Sequence, residues 1–389
     1  MVSTSEHSAP RNWVTLILFS TTLLAAVTLV PYYGFTQGYD WIEWSTLLVL
    51  LYCSGMSITA GYHRLWSHKA YNAHPIVRFF FAFWGAAAIQ NSILIWASTH
   101  RRHHRHVDSN EKDPYSINRG FFFAHIGWML REYDSGKEDF SNAQDLMRDP
   151  IVMNQHKYYA VWVLASNVGV PVTLGYLNGD VLGMVLLAGV LRLVLNHHFT
   201  FFINSLAHLW GKQPYTNTNS ARDNTFLAFL TYGEGYHNFH HYFQTDYRNG
   251  VRWWQYDPTK WLINGLSWVK LTTNLKRVPQ FKIHEALVKM QFEKAQHQLQ
   301  SSTLKNAEIW KESLEKEYQQ FLETLNEWKS LRADWYNRKR QAFQEKKVEL
   351  QERWESAVVR SRFQEMEYIL KMQQKRLKLF NLNFQSAMA

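Results

Sequence analysis

The chain has 389 residues, of which 46% are hydrophobic, and a formal net charge of +10 at pH 7. Its length and its mean hydropathy of −0.34 would suit roughly two or three soluble domains. The apolar residues, however, are concentrated in the first two thirds of the chain, and this segregation argues against a uniformly soluble protein.

Four apolar stretches approach the roughly 20 residues that a helix needs to cross a bilayer. They cover residues 13–33, 44–62, 158–177 and 181–203 and have Trp and Tyr near their edges, as transmembrane helices do at the interface. A buried soluble core is the alternative interpretation. The fourth stretch contains Arg192, which must face protein or extend towards the interface. The sequence therefore predicts an all-α integral membrane protein with four transmembrane helices.

Charge placement predicts how these helices are oriented. The connectors 34–43 and 178–180 contain no Lys or Arg. We therefore expect the cytoplasmic side to contain the N-terminus, the loop 63–157 and everything after residue 204. The membrane itself would be a bacterial inner membrane or the endoplasmic reticulum. A signal peptide is not expected, because the first apolar run is long and a second follows at once. The only cysteine, Cys53, lies in the second stretch, so no disulfide can form within the chain.

The segment 76–98 is apolar and aromatic enough to be a fifth span. If it crossed the bilayer, the basic block that follows would lie outside, against the charge rule. We therefore predict one amphipathic or half-inserted helix at the interface.

From about residue 283 the composition changes. The last Gly and Pro lie before this point, and the rest is rich in Glu, Lys, Gln and Leu, which favours long helices. Every seventh residue in one series is apolar, as in a coiled coil: Leu314, Phe321, Trp328 and Trp335. A helical hairpin packing on itself explains the same pattern. We predict a membrane domain over 1–282 and a helical or coiled-coil extension over 283–389, for oligomerisation or docking.

Nine of the 18 histidines lie in four short motifs. These are HRLWSH (His63, His68), HRRHH (His100, His103, His104), NSLAH (His208, with Asn204 four residues earlier) and HNFHH (His237, His240, His241). Residues at i, i+3 and i+4 share a helix face, so each H-x-x-H-H motif is predicted to direct three imidazoles to a common point. Neutral imidazole binds iron, zinc and copper. Together the motifs would supply ligands for two metal ions.

The arginines within these motifs allow another interpretation. Arg101, Arg102 and Arg105 could form a phosphate-binding stripe or contact anionic lipid head groups. That explains the arginines but not the histidines, which are mostly neutral at pH 7, and we expect no nucleic-acid partner. The remaining histidines show no repeated spacing and are expected in supporting, interfacial or surface positions; they include His106, His125, His156, His197 and His198.

The motifs HRLWSH, HRRHH, NSLAH and GEGYHNFHH, with NRGFFFAHIGW at 118–128, closely resemble those of membrane fatty acid desaturases. The resemblance is to the acyl-CoA Δ9 (stearoyl-CoA) branch and covers roughly residues 40 to 260. It implies four transmembrane helices under a cytosolic helical cap that holds two irons. The ligands it implies are His63, His68, His100, His103, His104, His208, His237, His240 and His241, with Asn204 acting through water.

The reaction that the resemblance implies is the O2-dependent removal of two hydrogens from a saturated fatty acyl chain. An unactivated C–H bond has no acidic proton, so a redox metal must activate oxygen. A narrow bent tunnel would bring one pair of carbons to the metals. In the family the tunnel bends near a Thr-Trp pair, and here Thr200 and Phe201 stand at those positions. The missing Trp changes the expected geometry of the bend.

The head group of the substrate is less well indicated. Asn91 and Trp96 match the acyl-CoA pattern. Ser98, however, replaces an expected Arg, and Asn118 replaces the first Arg of a pair, which leaves Arg119. Fewer cations should weaken the grip on a nucleotide phosphate. Acyl-CoA is the expected substrate form. An acyl chain carried on phospholipid or on a carrier protein is the alternative.

The electrons are expected from a separate protein. Some relatives have a fused cytochrome b5 domain marked by His-Pro-Gly-Gly, whereas the one His-Pro here, His74-Pro75, is followed by Ile76. A cytochrome b5, ferredoxin or flavin reductase is the implied donor.

Three other functions compete with desaturation. A di-iron membrane hydroxylase shares the histidine motifs. A metal transporter would need its ligands near the middle of the bilayer, whereas these motifs follow the ends of the spans. The third is a scaffold, in which the helical extension would do the work and the histidines would be dispensable.

Overall fold

The computed structural model describes residues 9–300, 307–345 and 349–388. Within these ranges the regular secondary structure is almost all helical, as predicted. The one strand pair is antiparallel, with β1 (Asn72–Ala73) beside β2 (Thr272–Thr273). The chain divides into two compact units, 1–213 with 218–277, and 214–217 with 278–389.

The first unit contains the histidine motifs. Its helices are α1 (Trp13–Thr36), α2 (Trp41–Ser67), α3 (Pro75–Ala86), α4 (Ile93–His106), α5 (Phe121–His125), α6 (Gln144–Met147), α7 (Pro150–Lys157), α8 (Tyr159–Asn178), α9 (Val181–Leu209), α10 (Thr225–Leu230), α11 (His237–Tyr242) and α12 (Pro258–Trp268). Its main apolar core lies where the end of α2 packs against α3 and α4, and a second apolar cluster joins α1, α2 and α9.

Four helices are long and apolar enough to cross a membrane, and they are the four predicted: α1, α2, α8 and α9. Two of them extend beyond their predicted ends, α2 to Ser67 and α9 to Leu209. His63 and His208 therefore lie on the same continuous helices that form the spans. The spans position these two side chains directly.

The end of α2 is a π-helix over Ser57–Ser67. There the His68 N–H donates to the carbonyl of His63, five residues earlier, at 3.1 Å. In an α-helix, side chains five residues apart point about 140° away from each other. The wider i→i+5 turn brings His63 and His68 to the same side, with their ring centroids 4.8 Å apart.

Two tight connections join the spans in pairs. Asp40 and Glu43 form a reciprocal capping box at the start of α2, and Asp180 caps α9 by accepting the Gly183 N–H at 2.8 Å. The Tyr33 hydroxyl donates to Asp180 at 2.7 Å, and the Asn178 amide donates to Asp40 at 3.0 Å. These contacts hold the α1–α2 and α8–α9 connections beside each other.

Arg192 faces protein, which is one of the two ways a transmembrane helix can accept it. Its guanidinium is buried and donates to the carbonyls of Ala188 (3.1 Å) and Ala87 (2.8 Å) and to the side-chain oxygen of Asn167 (2.5 Å). The charge is thus solvated by polar atoms of neighbouring segments.

The segment 76–98 is not among the four helices of spanning length, but it is not one continuous helix either. The segment forms α3 and α4, separated by residues 87–92. Ile89 and Asn91 adopt left-handed backbone angles there, with φ of 47° and 73°, which a right-handed helix cannot continue. The side chain of Gln155 accepts the Ile93 N–H at 2.9 Å and fixes the new helix start. This break orients α4 independently of α3.

The second unit is a bundle of three helices, α13 (Gln280–Gln300), α14 (Ala307–Glu345) and α15 (Glu349–Met388). Phe281 packs on Trp328, and Phe292 stacks on Tyr318, so α13 and α14 run antiparallel. The predicted heptad series lies in the core at Leu314 and Phe321; the side chain of Trp335 lies outside those described. The apolar series therefore packs in the core of three helices. This differs from both a two-stranded coiled coil and a hairpin alone, and the third helix provides room for the aromatic side chains.

A buried ionic network ties α2 to the segments that surround the histidines. Arg64 is 1% exposed. It donates to Glu234 at 2.8 Å, to Asp257 at 3.1 Å and to the carbonyl of Tyr247 at 2.9 Å. Glu234 also accepts from Asn249 at 2.6 Å. One cation thereby links α2, the segment before α11 and the start of α12.

We expect Arg64→Met to destabilise the first unit by about 3–5 kcal/mol, because it leaves two buried carboxylates without their cation. The measurement is thermal unfolding of the full chain in detergent. Lys137→Met is the control, since Lys137 and its partner Asp134 are both largely exposed, and it should leave the melting temperature unchanged. Equal melting temperatures for both variants would contradict the role of this network.

Candidate metal centre

The structure gathers the nine histidines of the four motifs into two groups. The five-histidine group is His63, His68, His100, His104 and His240, and the four-histidine group is His103, His208, His237 and His241. Within each group the ring nitrogens that face each other lie within 4.8 Å of one another. Each group is thus compact enough to hold one metal ion.

The prediction that each H-x-x-H-H motif serves one point is wrong. His100 and His104 belong to the five-histidine group, whereas His103 belongs to the other. In an α-helix, residues at i and i+4 are about 40° apart around the axis, whereas i+3 and i+4 are about 100° apart. The i, i+4 pair therefore stays together and the i+3 residue turns to the neighbouring group.

The motif HNFHH also divides between the groups, but its i, i+4 pair joins the other group. His237 and His241 join the four-histidine group, and His240, at i+3, joins the five-histidine group. Each of the helices α4 and α11 consequently contributes to both groups.

The facing nitrogens are the Nε2 atoms, and they are close. In the five-histidine group the pairs His63–His240, His68–His100 and His104–His240 are 2.9, 2.9 and 3.0 Å apart. In the four-histidine group His208–His237 and His237–His241 are both 3.0 Å apart, and His103–His241 is 3.3 Å. Imidazole nitrogens bound about 2.1 Å from one cation, at right angles, lie about 3 Å apart. The donor set and its spacing therefore fit a metal ion in each group.

The other ring nitrogen, Nδ1, is held by protein groups at several of these histidines. Glu234 lies 3.0 Å from Nδ1 of His63, and Asp113 lies 2.9 Å from Nδ1 of His103. The hydroxyl of Ser220 lies 2.7 Å from Nδ1 of His208. A carboxylate that accepts the Nδ1–H leaves the Nε2 lone pair free for a metal and fixes the ring orientation.

Asp113 and Glu234 were not predicted from the sequence. Glu234 lies three residues before His237 in GEGYHNFHH, so its position beside a ligand motif was an available signal. Asp113 lies ten residues after His103 in an irregular loop, and only the fold brings the two together.

Burial keeps most of the nine histidines uncharged. It lowers the pKa of His68, His100, His104, His237, His240 and His241 well below the ordinary value, and the neighbouring imidazoles lower it further. These six imidazoles are therefore neutral at pH 7, as metal binding requires. Burial by itself would raise the pKa of Glu234, but His63 and Arg64 hold it below its ordinary value, so this carboxylate is charged.

A cavity of about 900 Å³ lies against both groups, with His63, His100 and His237 in its wall. Its other lining is mainly apolar and aromatic. Four of the predicted substrate residues line it, namely Asn91, Trp96, Thr200 and Phe201, and so does Asn204. Arg119 is not among the lining residues; its guanidinium packs on the rings of Phe123 (3.5 Å) and Tyr133 (4.4 Å).

A hydrogen-bonded chain crosses the wall of this cavity. The indole of Trp96 donates to the carboxamide oxygen of Gln90 at 3.3 Å, and the Gln90 amide donates to the Thr200 hydroxyl at 2.9 Å. Trp96 also stacks on His100, with ring centroids 4.9 Å apart. Gln90 was not predicted from the sequence, and it joins the loop between α3 and α4 to α9 beside the histidines.

The positions that depart from the acyl-CoA pattern have internal partners. Ser98 is buried and donates to Asn142 at 2.8 Å, and it also contacts the carbonyl of Asp139. Asn118 donates to the carbonyl of Asp108 at 2.8 Å. Among the arginines of HRRHH, Arg101 donates to Asp145 and to the carbonyl of Trp66. Its guanidinium is therefore hydrogen-bonded within the protein.

Several remaining histidines have supporting contacts. His125 lies 2.9 Å from the Ser205 hydroxyl and 3.0 Å from a ring nitrogen of His198. His197 contacts the carbonyl of Ala88 at 2.8 Å, and His156 contacts the Ser92 hydroxyl at 2.8 Å.

Comparison with known proteins agrees with this geometry. Residues 40–267 match the family model described as fatty acid desaturase. A probable acyl-CoA desaturase of Schizosaccharomyces pombe is 42% identical over 71% of this chain and 58% of its own length. Acyl-CoA desaturase 1 of Saccharomyces cerevisiae is 38% identical over 73% and 55%, and stearoyl-CoA desaturase 5 of Bos taurus is 35% identical over 70% and 81%. The chain thus spans little more than half the length of the two yeast relatives.

We expect Asp113→Asn to weaken metal binding by the four-histidine group about 10- to 100-fold, because the amide no longer accepts the Nδ1–H of His103 as a carboxylate does. The measurement is metal bound per chain, by mass spectrometry, during titration with a chelator. One metal should be lost at lower chelator concentration than the other.

The control for this variant is His106→Gln, in the same stretch but outside both groups. It should retain metal as the parent chain does. Identical chelator titrations for Asp113→Asn and the parent would contradict the role of Asp113.

Proposed function

The chain belongs to the fatty acid desaturase family, and we propose that it introduces a cis double bond, at the Δ9 position, into a saturated fatty acyl chain. It is a multi-pass membrane protein, with four helices of spanning length and composition. The observation that supports this activity is that both histidine groups line one largely apolar cavity. In the reaction a CH2–CH2 unit loses two hydrogens, and O2 leaves as two waters after taking up two electrons and two protons from outside.

We assign one iron to each histidine group, with Asn204 contributing through water. The all-nitrogen donor set and the Nε2 spacings of about 3 Å support this assignment. Bound there, a pair of redox-active irons supplies the O2 activation that side-chain acid–base chemistry cannot provide for an unactivated C–H bond.

The protein holds the acyl chain and fixes which carbons react. The cavity wall replaces water around the chain, and its burial favours binding in proportion to the apolar area. Trp96 and the Gln90–Thr200 hydrogen bond form the wall beside His100. They restrict the chain to one path past the histidines, so that one pair of carbons is brought to the reacting position.

Acyl-CoA is the proposed substrate form, because the yeast relatives are named acyl-CoA desaturases. Ser98 and Asn118 favour a second candidate, an acyl chain on phospholipid or on a carrier protein, since neither residue offers a cation to a phosphate. Arg131 and Lys137 line the cavity together with Glu132, Asp134 and Glu138, so the polar part of the lining is not predominantly basic. Assays of purified protein with acyl-CoA and with phospholipid distinguish the two forms.

The electrons come from a separate donor of cytochrome b5, ferredoxin or flavin reductase type. Both termini and the histidine groups face the cytoplasm of a bacterium or, in the endoplasmic reticulum, the cytosol. The absence of Lys and Arg from the connectors 34–43 and 178–180 supports this orientation. A membrane hydroxylase with the same ligands is the rival activity, and it differs by leaving oxygen in the lipid.

Expression in a host without its own desaturase, with an adequate electron donor, should yield a new monounsaturated fatty acid. Mass spectrometry should show the loss of two hydrogens and locate the double bond at Δ9. His100→Ala and His240→Ala should abolish this product, because each removes a ligand from the five-histidine group.

His106→Gln, outside both groups, should leave the yield unchanged. An added oxygen in the lipid would instead identify a hydroxylase. Unsaturation that persists in His100→Ala and His240→Ala would overturn the assignment of the histidines.

We expect Thr200→Val to broaden the positions of the double bond. The substitution preserves shape but leaves the Gln90 amide without its acceptor, at a cost of about 1 kcal/mol or more, so the wall beside His100 is held less firmly. The measurement is the ratio of positional isomers by mass spectrometry. Thr173→Val is the matched control, because that hydroxyl is exposed and donates to the carbonyl of Gly169 in its own helix. A parent-like isomer ratio in both variants would exclude this role for Thr200.

A further inference from the structure

The helix α15 has two apolar faces, of which the three-helix bundle uses one. Leu370 and Leu377 are buried in the core, with Met366 and Gln373 beside them. On the opposite side Tyr368, Met372, Leu379 and Leu382 are exposed. Helical spacing places these four side chains within a stripe about 80° wide, which we call the outer face of α15.

This exposure is specific to α15. Among the side chains described in the second unit, the exposed large apolar ones are Val358, Tyr368, Ile369, Met372, Leu379 and Leu382 on α15 and Ile309 alone on α14. Tyr368 is 64% exposed and Leu379 is 58% exposed. Single exposed apolar residues are ordinary on a protein surface, but several on one side of a helix indicate a binding surface.

The outer face is also basic. Lys371, Lys375 and Lys378 lie within or beside the stripe, and the sequence contains no Asp or Glu after Glu367. Lys371 pairs with Glu367 at 3.0 Å, whereas Lys375 and Lys378 form no ion pair with the described residues. An apolar stripe with lysines along it is the pattern of a helix that lies on an anionic membrane surface.

We propose that the outer face of α15 binds the surface of a bilayer that contains anionic phospholipids. Tyr368, Met372, Leu379 and Leu382 enter the head-group region, and the three lysines contact lipid phosphates. A bilayer is available to this helix because the same chain carries four helices of spanning length. The proposal does not depend on the desaturase activity.

A second copy of the chain is a poorer partner for this face. Lys375 lies near the middle of the stripe, so an antiparallel pairing centred there would place Lys375 against Lys375 and would bring Lys371 opposite position 379, one residue from Lys378. A parallel pairing would place each lysine beside its own counterpart. Like charges at such positions oppose association. Glu367 pairs with Lys371, but no Asp or Glu follows it in the sequence to offset Lys375 and Lys378, whereas lipid phosphates would.

The test uses the full chain in nanodiscs of zwitterionic lipid. In a Cys53→Ala background, Leu379→Cys is labelled with an environment-sensitive fluorophore, and anionic or zwitterionic vesicles are added. A second sample has anionic lipid in the nanodisc itself. The outer face is thus tested both against the bilayer that holds the chain and against a separate bilayer. We expect a blue shift and quenching by spin-labelled lipid only with anionic lipid.

The charge variant is Lys371→Gln, Lys375→Gln and Lys378→Gln combined. Each cation contributes about a fivefold factor to binding at an anionic surface, so the vesicle concentration at half-maximal shift should rise on the order of a hundredfold. The matched variant Lys294→Gln, Lys311→Gln and Lys316→Gln removes the same charge from other exposed positions of the second unit and should bind as the parent does. A label at Ser313→Cys, on α14, should not shift.

Three results would overturn the proposal. They are the lack of any shift at position 379, an equal shift with zwitterionic vesicles, and a shift without vesicles in discs of zwitterionic lipid. In the last case, dimers cross-linked through unlabelled Leu379→Cys would identify a second copy as the partner of the outer face.

Discussion

The contact on which the first unit most depends is the shared carboxylate of Glu234. One of its oxygens accepts from Arg64 and the other lies 3.0 Å from Nδ1 of His63. A buried carboxylate is costly unless it is paired and hydrogen-bonded, and here the pairing does two things at once. It neutralises Arg64 at the end of α2, and it orients a histidine whose Nε2 must remain free. Stability and the geometry of the five-histidine group therefore rest on the same atoms.

The division of each H-x-x-H-H motif has a structural consequence. Because α4 and α11 each supply both groups, neither group can form unless the two helices are already in register. Neutral nitrogens that converge to about 3 Å also leave most of their lone pairs without hydrogen-bond donors. Metal binding satisfies these lone pairs, so it stabilises the arrangement that creates the site.

The sequence predicts what depends on composition along the chain. The four spans follow from length and apolarity, because a bilayer imposes the same requirement on every crossing helix, and the nine histidines follow from repeated spacing. Their division between two groups does not, because it depends on helix rotation and on the π-helical end of α2. The break between α3 and α4 arises from left-handed Ile89 and Asn91, neither of which is a glycine. Asp113 reaches His103 only through the fold of a loop, and the third helix of the bundle had no distinct signal in the heptad pattern.

Exposed apolar side chains have different causes in the two units. On α1, residues such as Leu24 and Tyr32 are exposed, and they belong to a helix of 24 residues without a charged side chain, which suits contact with lipid tails on the sides that do not pack against α9. On α15 the exposure is confined to one side and lysines interrupt it, so this helix cannot lie in the hydrocarbon core. It can satisfy both kinds of side chain only where apolar and charged surroundings meet. The need to place apolar side chains and lysines of one face in different surroundings is therefore the reason for assigning the outer face to a membrane–water interface. No feature of the bundle core is required for this assignment.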